Sequence, residues 1–195
     1  CTVESSVARH ATSAFTAIRN GLVSLQDCQA AYKGKDNETY KSGFVAARGG
    51  MLTAERCSAS GWSDGFHAGR GGTMGLKACK ATGGVHGLTV FAATGTADDC
   101  NFSKNKLGGV NVNGSSVVLS GCTLSHNAVG CSSLANSTVD FRDPPSRITD
   151  NTWTGLQSVG GGAFFGLKPA FDANRTELEI IPKSTSIDAL VTWKD

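Results

Sequence analysis

Residues 56 to 72 read RCSASGWSDGFHAGRGG and place Cys57, Asp64, His67 and Arg70 in one short stretch. A thiolate and an imidazole are metal ligands, and an aspartate beside a histidine can move a proton. Zinc needs ligands that converge at close spacing, such as C-x-x-C, and no such pair exists in the chain. No metal and no cofactor is therefore expected. Whether the remaining residues make a site depends on the elements that carry them.

Those elements repeat. Cys1, Cys28, Cys57, Cys79, Cys100 and Cys122 follow one another at 27, 29, 22, 21 and 22 residues. A second column runs through Gly43-Phe44, Gly65-Phe66, Gly87-Leu88, Gly109-Val110, Gly130-Cys131 and Gly155-Leu156, with Ala14-Phe15 as its first member. The two columns keep phase, and the longest insertion, AYKGKDNETYK before Gly43, is polar and reads as a protruding loop. Apolar residues alternate after the Gly (Phe66 and Ala68, Leu88 and Val90) and before the Cys (Met74 and Leu76, Val117 and Leu119), the pattern of short strands with one buried face. A unit of roughly 22 residues with three strands and no helical period predicts a solenoid whose coils stack at the inter-strand spacing of about 4.8 Å. Asn105, Asn127, Asn151 and Asn174 form a further column, explained by the left-handed backbone that Asn tolerates at a bend.

Bulk properties agree. The chain has 25 Gly, only 4 Pro and 7 Cys, which suits many regular tight turns better than a disordered linker. A net charge of +2 gives no argument for nucleic acid, and no apolar run is long enough for a spanning helix, so no nucleic-acid or membrane partner is expected.

Coil length, the Gly-led strand, the Cys column and the Asn turn resemble, over roughly residues 1 to 175, the right-handed parallel β-helix repeats of the pectin-lyase-like superfamily. The resemblance implies an all-β, right-handed single-stranded parallel β-helix of about eight coils. That superfamily includes polysaccharide lyases and hydrolases, viral tailspikes and non-catalytic scaffold repeats, and fold alone does not choose among them. Asp98-Asp99-Cys100 is similar to the paired-carboxylate element of polygalacturonases, and Val85-His86-Gly87 faintly to their histidine element. Their order along the chain is reversed, and the remaining elements of that pattern are missing. Asp98, Asp99 and His86 are thus weak catalytic candidates, and the reading leans away from an enzyme. Arg142-Asp143-Pro144-Pro145-Ser146-Arg147 reads as a Pro-stiffened loop rather than the arginine motif of pectate lyases.

Seven cysteines are an odd number, and stacked neighbours point the same way, so free thiols filling the core are expected. They lean toward a reducing, intracellular compartment. The sequons at Asn37, Asn101, Asn113, Asn136 and Asn174 are discounted because the composition is rich in Asn, Ser and Thr.

The outward-facing residues are more distinctive. Arg19, Arg48 and Arg70 each stand five residues after the Gly-column position, which predicts an arginine ladder relieved by Glu55 and Asp64 or by an acidic partner. Trp62 is expected nearby, either as a ring able to stack on a sugar or a side chain or equally as part of a packed loop. An ice-binding surface is disfavoured because the column Thr16, Val45, His67, Thr89, Asn111, Ser132 and Gln157 is irregular. Cys1 already sits inside the period, so the first coil edge is expected to be covered by upstream sequence or another chain. Residues 176 to 195 leave both columns and read as a cap or partner-binding extension carrying two apolar strands. The reading reached is a non-catalytic scaffold or recognition module that binds a protein partner or an anionic glycan along its side. The alternative is a polysaccharide-active enzyme or a tailspike-type glycan-binding domain.

Overall fold

A computed structural model describes residues 2–4, 7–9, 13–33, 41–181 and 191–194. Cys1, residues 34–40 of the polar insertion including Asn37, and residues 182–190 of the terminal segment lie outside the described residues.

One coil gives the plan. Asp64–Gly69 forms a strand of what we call sheet 1, Thr73–Lys77 a strand of sheet 2 and Lys80–Thr82 a strand of sheet 3. The next coil repeats this with His86–Phe91, Thr94–Asp98 and Asn101–Ser103. Every strand pairs in parallel with its counterparts in adjacent coils. Among the described residues this gives eight strands in sheet 1, nine in sheet 2 and eight in sheet 3. The two apolar segments of the C-terminus also become strands: Thr176–Ile181 extends sheet 1 and Val191–Lys194 extends sheet 2. The fold is an all-β parallel β-helix.

The period-two pattern places one side of each strand inside. Phe15, Phe44 and Phe66 stack in register at 5.0 and 4.7 Å between centroids, close to the coil rise itself. Phe102 meets Phe66 edge-on across the core from sheet 3. The Gly column has a steric cause. A Cβ on Gly65 would lie 2.4 Å from the Ala81 Cβ and 2.8 Å from the Gly87 carbonyl oxygen, so sheet 1 approaches sheet 3 only where the side chain is absent.

Each coil bends at three corners, most of which turn on a residue with positive φ. Between sheets 2 and 3 that residue is Asp27, Arg56, Ala78, Asp99 or Gly121, immediately before a cysteine. Cys28, Cys57, Cys79, Cys100, Cys122 and Cys131 are all buried. The Cys28 N–H donates to Cys57 Sγ at 3.4 Å, and the Cys79 N–H to Cys100 Sγ at the same distance. Burial pushes the Cys131 thiol up, which makes it packing material rather than a nucleophile.

The corner between sheets 3 and 1 corrects the reading of the asparagines. The left-handed residues are Lys104, His126, Asp150 and Ala173, one position earlier. The Asn side chains instead serve the backbone. Asn127 Oδ1 accepts the Asn105 N–H at 2.9 Å, while Asn127 Nδ2 donates to the Phe102 carbonyl at 3.0 Å. Asn151 and Asn174 repeat both bonds in the following coils. A corner buried beside the core has no water for these groups, so the amide supplies both an acceptor and a donor.

Candidate functional site

The third corner, between sheets 1 and 2, carries the arginines. Ile18 pairs with Ala47 and Ala47 with Gly69, so the residues that follow, Arg19, Arg48 and Arg70, occupy one position in three successive coils. All three are exposed, with φ of 53, 54 and 51°. The same corner position holds Ala92, Gly114, Ala135 and Gly160 further along, also with positive φ. The bend therefore sets the backbone but does not require arginine. Gly and Asn pass through this region at least cost, and Arg gains nothing from it.

The expected carboxylate relief is not found among the described residues. Glu55 pairs with Arg56 at 2.7 Å, and Asp64 is taken up by histidines. Among the described residues no acidic side chain pairs with Arg19, Arg48 or Arg70. Beside them lies a hollow of about 760 Å³ lined by Ile18, Val45, Ala47, Arg48, His67, Gly69, Arg70 and Phe91. Its shape follows from one strand column. Ile18, Ala47, Gly69 and Phe91 are in register, so two large side chains stand as walls with two small ones between them. Ile18 and Phe91 are 42% and 48% exposed, and Leu22 and Met51 are exposed just beyond the bend.

Asp64 is the residue whose place the sequence reading missed. It was expected at the surface beside Arg70; it is 7% exposed and sits where His67, His86 and Thr89 converge. His67 Nδ1 donates to one carboxylate oxygen at 3.1 Å, while His86 Nδ1 at 3.3 Å and Thr89 Oγ1 at 2.8 Å donate to the other. Burial alone would raise the Asp64 pKa. The hydrogen bonds from His67, His86 and Thr89 outweigh it and hold the carboxyl well below the usual range. The signal was readable in the 22-residue period, because His86 pairs directly with Asp64 and Thr89 with His67 in the adjacent strand. Both imidazoles turn Nδ1 to the shared carboxylate and diverge beyond it: a Cβ on Gly69 would meet His67 Nε2 at 2.7 Å, and one on Gly108 would meet His86 Cδ2 at 3.0 Å. Such divergence suits two oriented imidazoles better than one chelate, and among the described residues no group of three His, Cys, Asp or Glu is placed to hold a metal.

Two other candidates stand elsewhere. Asp98 ends a strand of sheet 2 and Asp99 occupies the next corner, whereas His86 lies on sheet 1 against Asp64, so the three do not assemble. Trp62 is 1% exposed and packs on Tyr32 at 5.3 Å, so it belongs to a packed loop and its place as a binding ring is corrected. The chain turns inward after Cys57 and closes this large ring against the base of the insertion, where Lys41 also reaches the Tyr32 hydroxyl at 2.7 Å. The exposed tryptophan is Trp153, beside a second, smaller hollow of about 190 Å³ with His86, Leu107 and Gln157.

Three stacked parallel sheets, left-handed corners and a column-by-column core define the class of right-handed parallel β-helix domains. The chain belongs to that family: the model described as right handed beta helix region matches residues 13–175. No curated protein matches the chain, and no solved structure does.

Proposed function

We propose that this β-helix domain is a non-catalytic recognition module that docks an acidic protein segment along the arginine corner. The observation that carries the reading is the run of three in-register guanidinium groups, exposed and without acidic partners among the described residues. Like charges one strand apart repel, and an acidic partner relieves them. The surroundings favour protein as the partner. Exposed Ile18, Leu22, Met51 and Phe91 flank the arginines, and a mixture of Arg, Met, aromatic and aliphatic side chains is what protein interfaces concentrate.

The test uses a fluorescein-labelled pool of degenerate acidic decapeptides. Anisotropy should report binding that weakens with salt and falls at least about tenfold in an Arg48→Glu, Arg70→Glu double variant with an unchanged circular dichroism spectrum. Equal binding by the variant sinks the reading. A second reading, glycan binding on the same face, is favoured by exposed Trp153 over the second hollow, because an indole face stacks on a sugar ring. Depolymerisation of a uronic-acid polymer that vanishes in Asp98→Ala or Asp99→Ala would instead establish an enzyme.

A further inference from the structure

Resting on the docking reading, we propose that the hollow between Ile18 and Phe91 receives a phosphorylated side chain of the docked segment, held by Arg48, Arg70 and His67. Two features set this apart from general attraction for acidic residues. The first is convergence. Arg48 and Arg70 rim one hollow from adjacent coils, and the His67 imidazole lies in its lining. Two fixed charges and a third ionisable donor exceed what a carboxylate, with one charge, neutralises. A phosphate ester carries about two charges and three acceptor oxygens, which is what guanidinium clusters recognise in pairs of parallel bonds.

The second is orientation. His67 Nδ1 is committed to Asp64 at 3.1 Å, and its Nε2 lies over the Cα of Gly69, the residue before Arg70. Gly69 does not have positive φ, so its lack of a side chain serves space rather than backbone conformation. A Cβ there would stand 2.7 Å from Nε2 and displace the imidazole tip. The ring is thus held by its inner nitrogen with its outer nitrogen directed along the hollow. The charged and titratable groups that face His67 are Asp64 and Arg70 on its own coil, Arg48 on the preceding coil and His86 across the shared carboxylate on the next. The apolar walls Ile18 and Phe91 receive the residues that flank the phosphate, as Val45 and Ala47 floor the space between them.

The experiment compares three degenerate nonapeptide pools that differ only at the central residue: phosphoserine, glutamate or serine. Titration calorimetry reads the affinity of each pool. The expected result is binding of the phosphoserine pool about tenfold tighter than the glutamate pool. Arg48→Gln, Arg70→Gln and His67→Gln should each remove most of that advantage, and Gly69→Ala should weaken phosphoserine binding while leaving glutamate binding nearly unchanged. Arg48 is exposed, so its variant keeps the test valid if His67→Gln is poorly folded. If phosphoserine and glutamate pools bind equally and Arg48→Gln weakens both, the phosphate inference falls and the docking reading stands. If no pool binds, both fall. If a sulfated oligosaccharide binds in the hollow and the peptides do not, the occupant is a glycan and both proposals are overturned.

Discussion

The asparagine corner and the arginine corner both turn on left-handed residues, one per coil at the first and two in succession in the coils of Arg19, Arg48 and Arg70, yet they use their polar side chains in opposite ways. At the asparagine corner every amide is consumed internally: Asn127 accepts from Asn105 and donates to the Phe102 carbonyl, and the coils on either side repeat the pattern. At the arginine corner the guanidinium groups meet no acidic side chain among the described residues, and the same position is filled by Ala92, Gly114, Ala135 and Gly160 in later coils. A polar group the fold needs is buried and saturated. One the fold tolerates without using is available for a partner.

This contrast can be broken by mutation. The largest effect is expected at Asn127, where Asn127→Ala leaves the buried Asn105 N–H and the Phe102 carbonyl unpaired. A loss of roughly 3 kcal/mol in urea unfolding would support the saturated-corner account, and a loss below about 1 kcal/mol would contradict it. Next comes the buried acid beneath the two histidines. Because the folded-state pKa of Asp64 lies below its unfolded value, its contribution is present above the ordinary aspartate range and is lost as pH falls below about 4. Asp64→Asn should cost about 2 kcal/mol at neutral pH and flatten the acid limb of the stability profile. A parallel acid limb in mutant and wild type would show that the His67 and His86 bonds do not hold the charge.

Smaller effects are expected at the open corner. Arg48→Ala and Arg70→Ala should leave thermal stability within about 0.5 kcal/mol of wild type, and a large loss would mean that the arginines are structural after all. The finest test extends the column. Ala92→Arg places a fourth guanidinium one coil beyond Arg70 at a position with φ of 46°. A destabilisation of a few tenths of a kcal/mol that disappears in high salt is the signature of like-charge repulsion along the corner. No salt dependence would mean that the side chains splay apart.

How much was legible depends on whether a property repeats. The strands, the buried Phe44, Phe66 and Cys57, and the common position of Arg19, Arg48 and Arg70 all follow from a 22-residue step and a period of two, because stacking at a fixed rise turns sequence spacing into spatial adjacency. The asparagine column was also visible, but its role was assigned to the wrong residue. A repeat marks which coil position is constrained, and only the backbone angles show that Lys104 or His126 takes the turn while Asn105 or Asn127 bonds across it. In the stretch RCSASGWSDGFHAGRGG, the period correctly removed Cys57 and Phe66 from any site. It left the place of Trp62 open and gave no warning that Asp64 lies under two imidazoles.

The amino-acid sequence by itself determined the coil, its register and the column to which each residue belongs, since these rest on periodicity and on side-chain size. Only the tertiary structure decided what meets between columns. Asp64 reaches His67, three residues along its own strand, and His86 in the next, and a hollow opens where Ala47 and Gly69 fall between Ile18 and Phe91. Such lateral meetings depend on rotamers and on the volumes of neighbours in adjacent coils, which no single column of the repeat encodes.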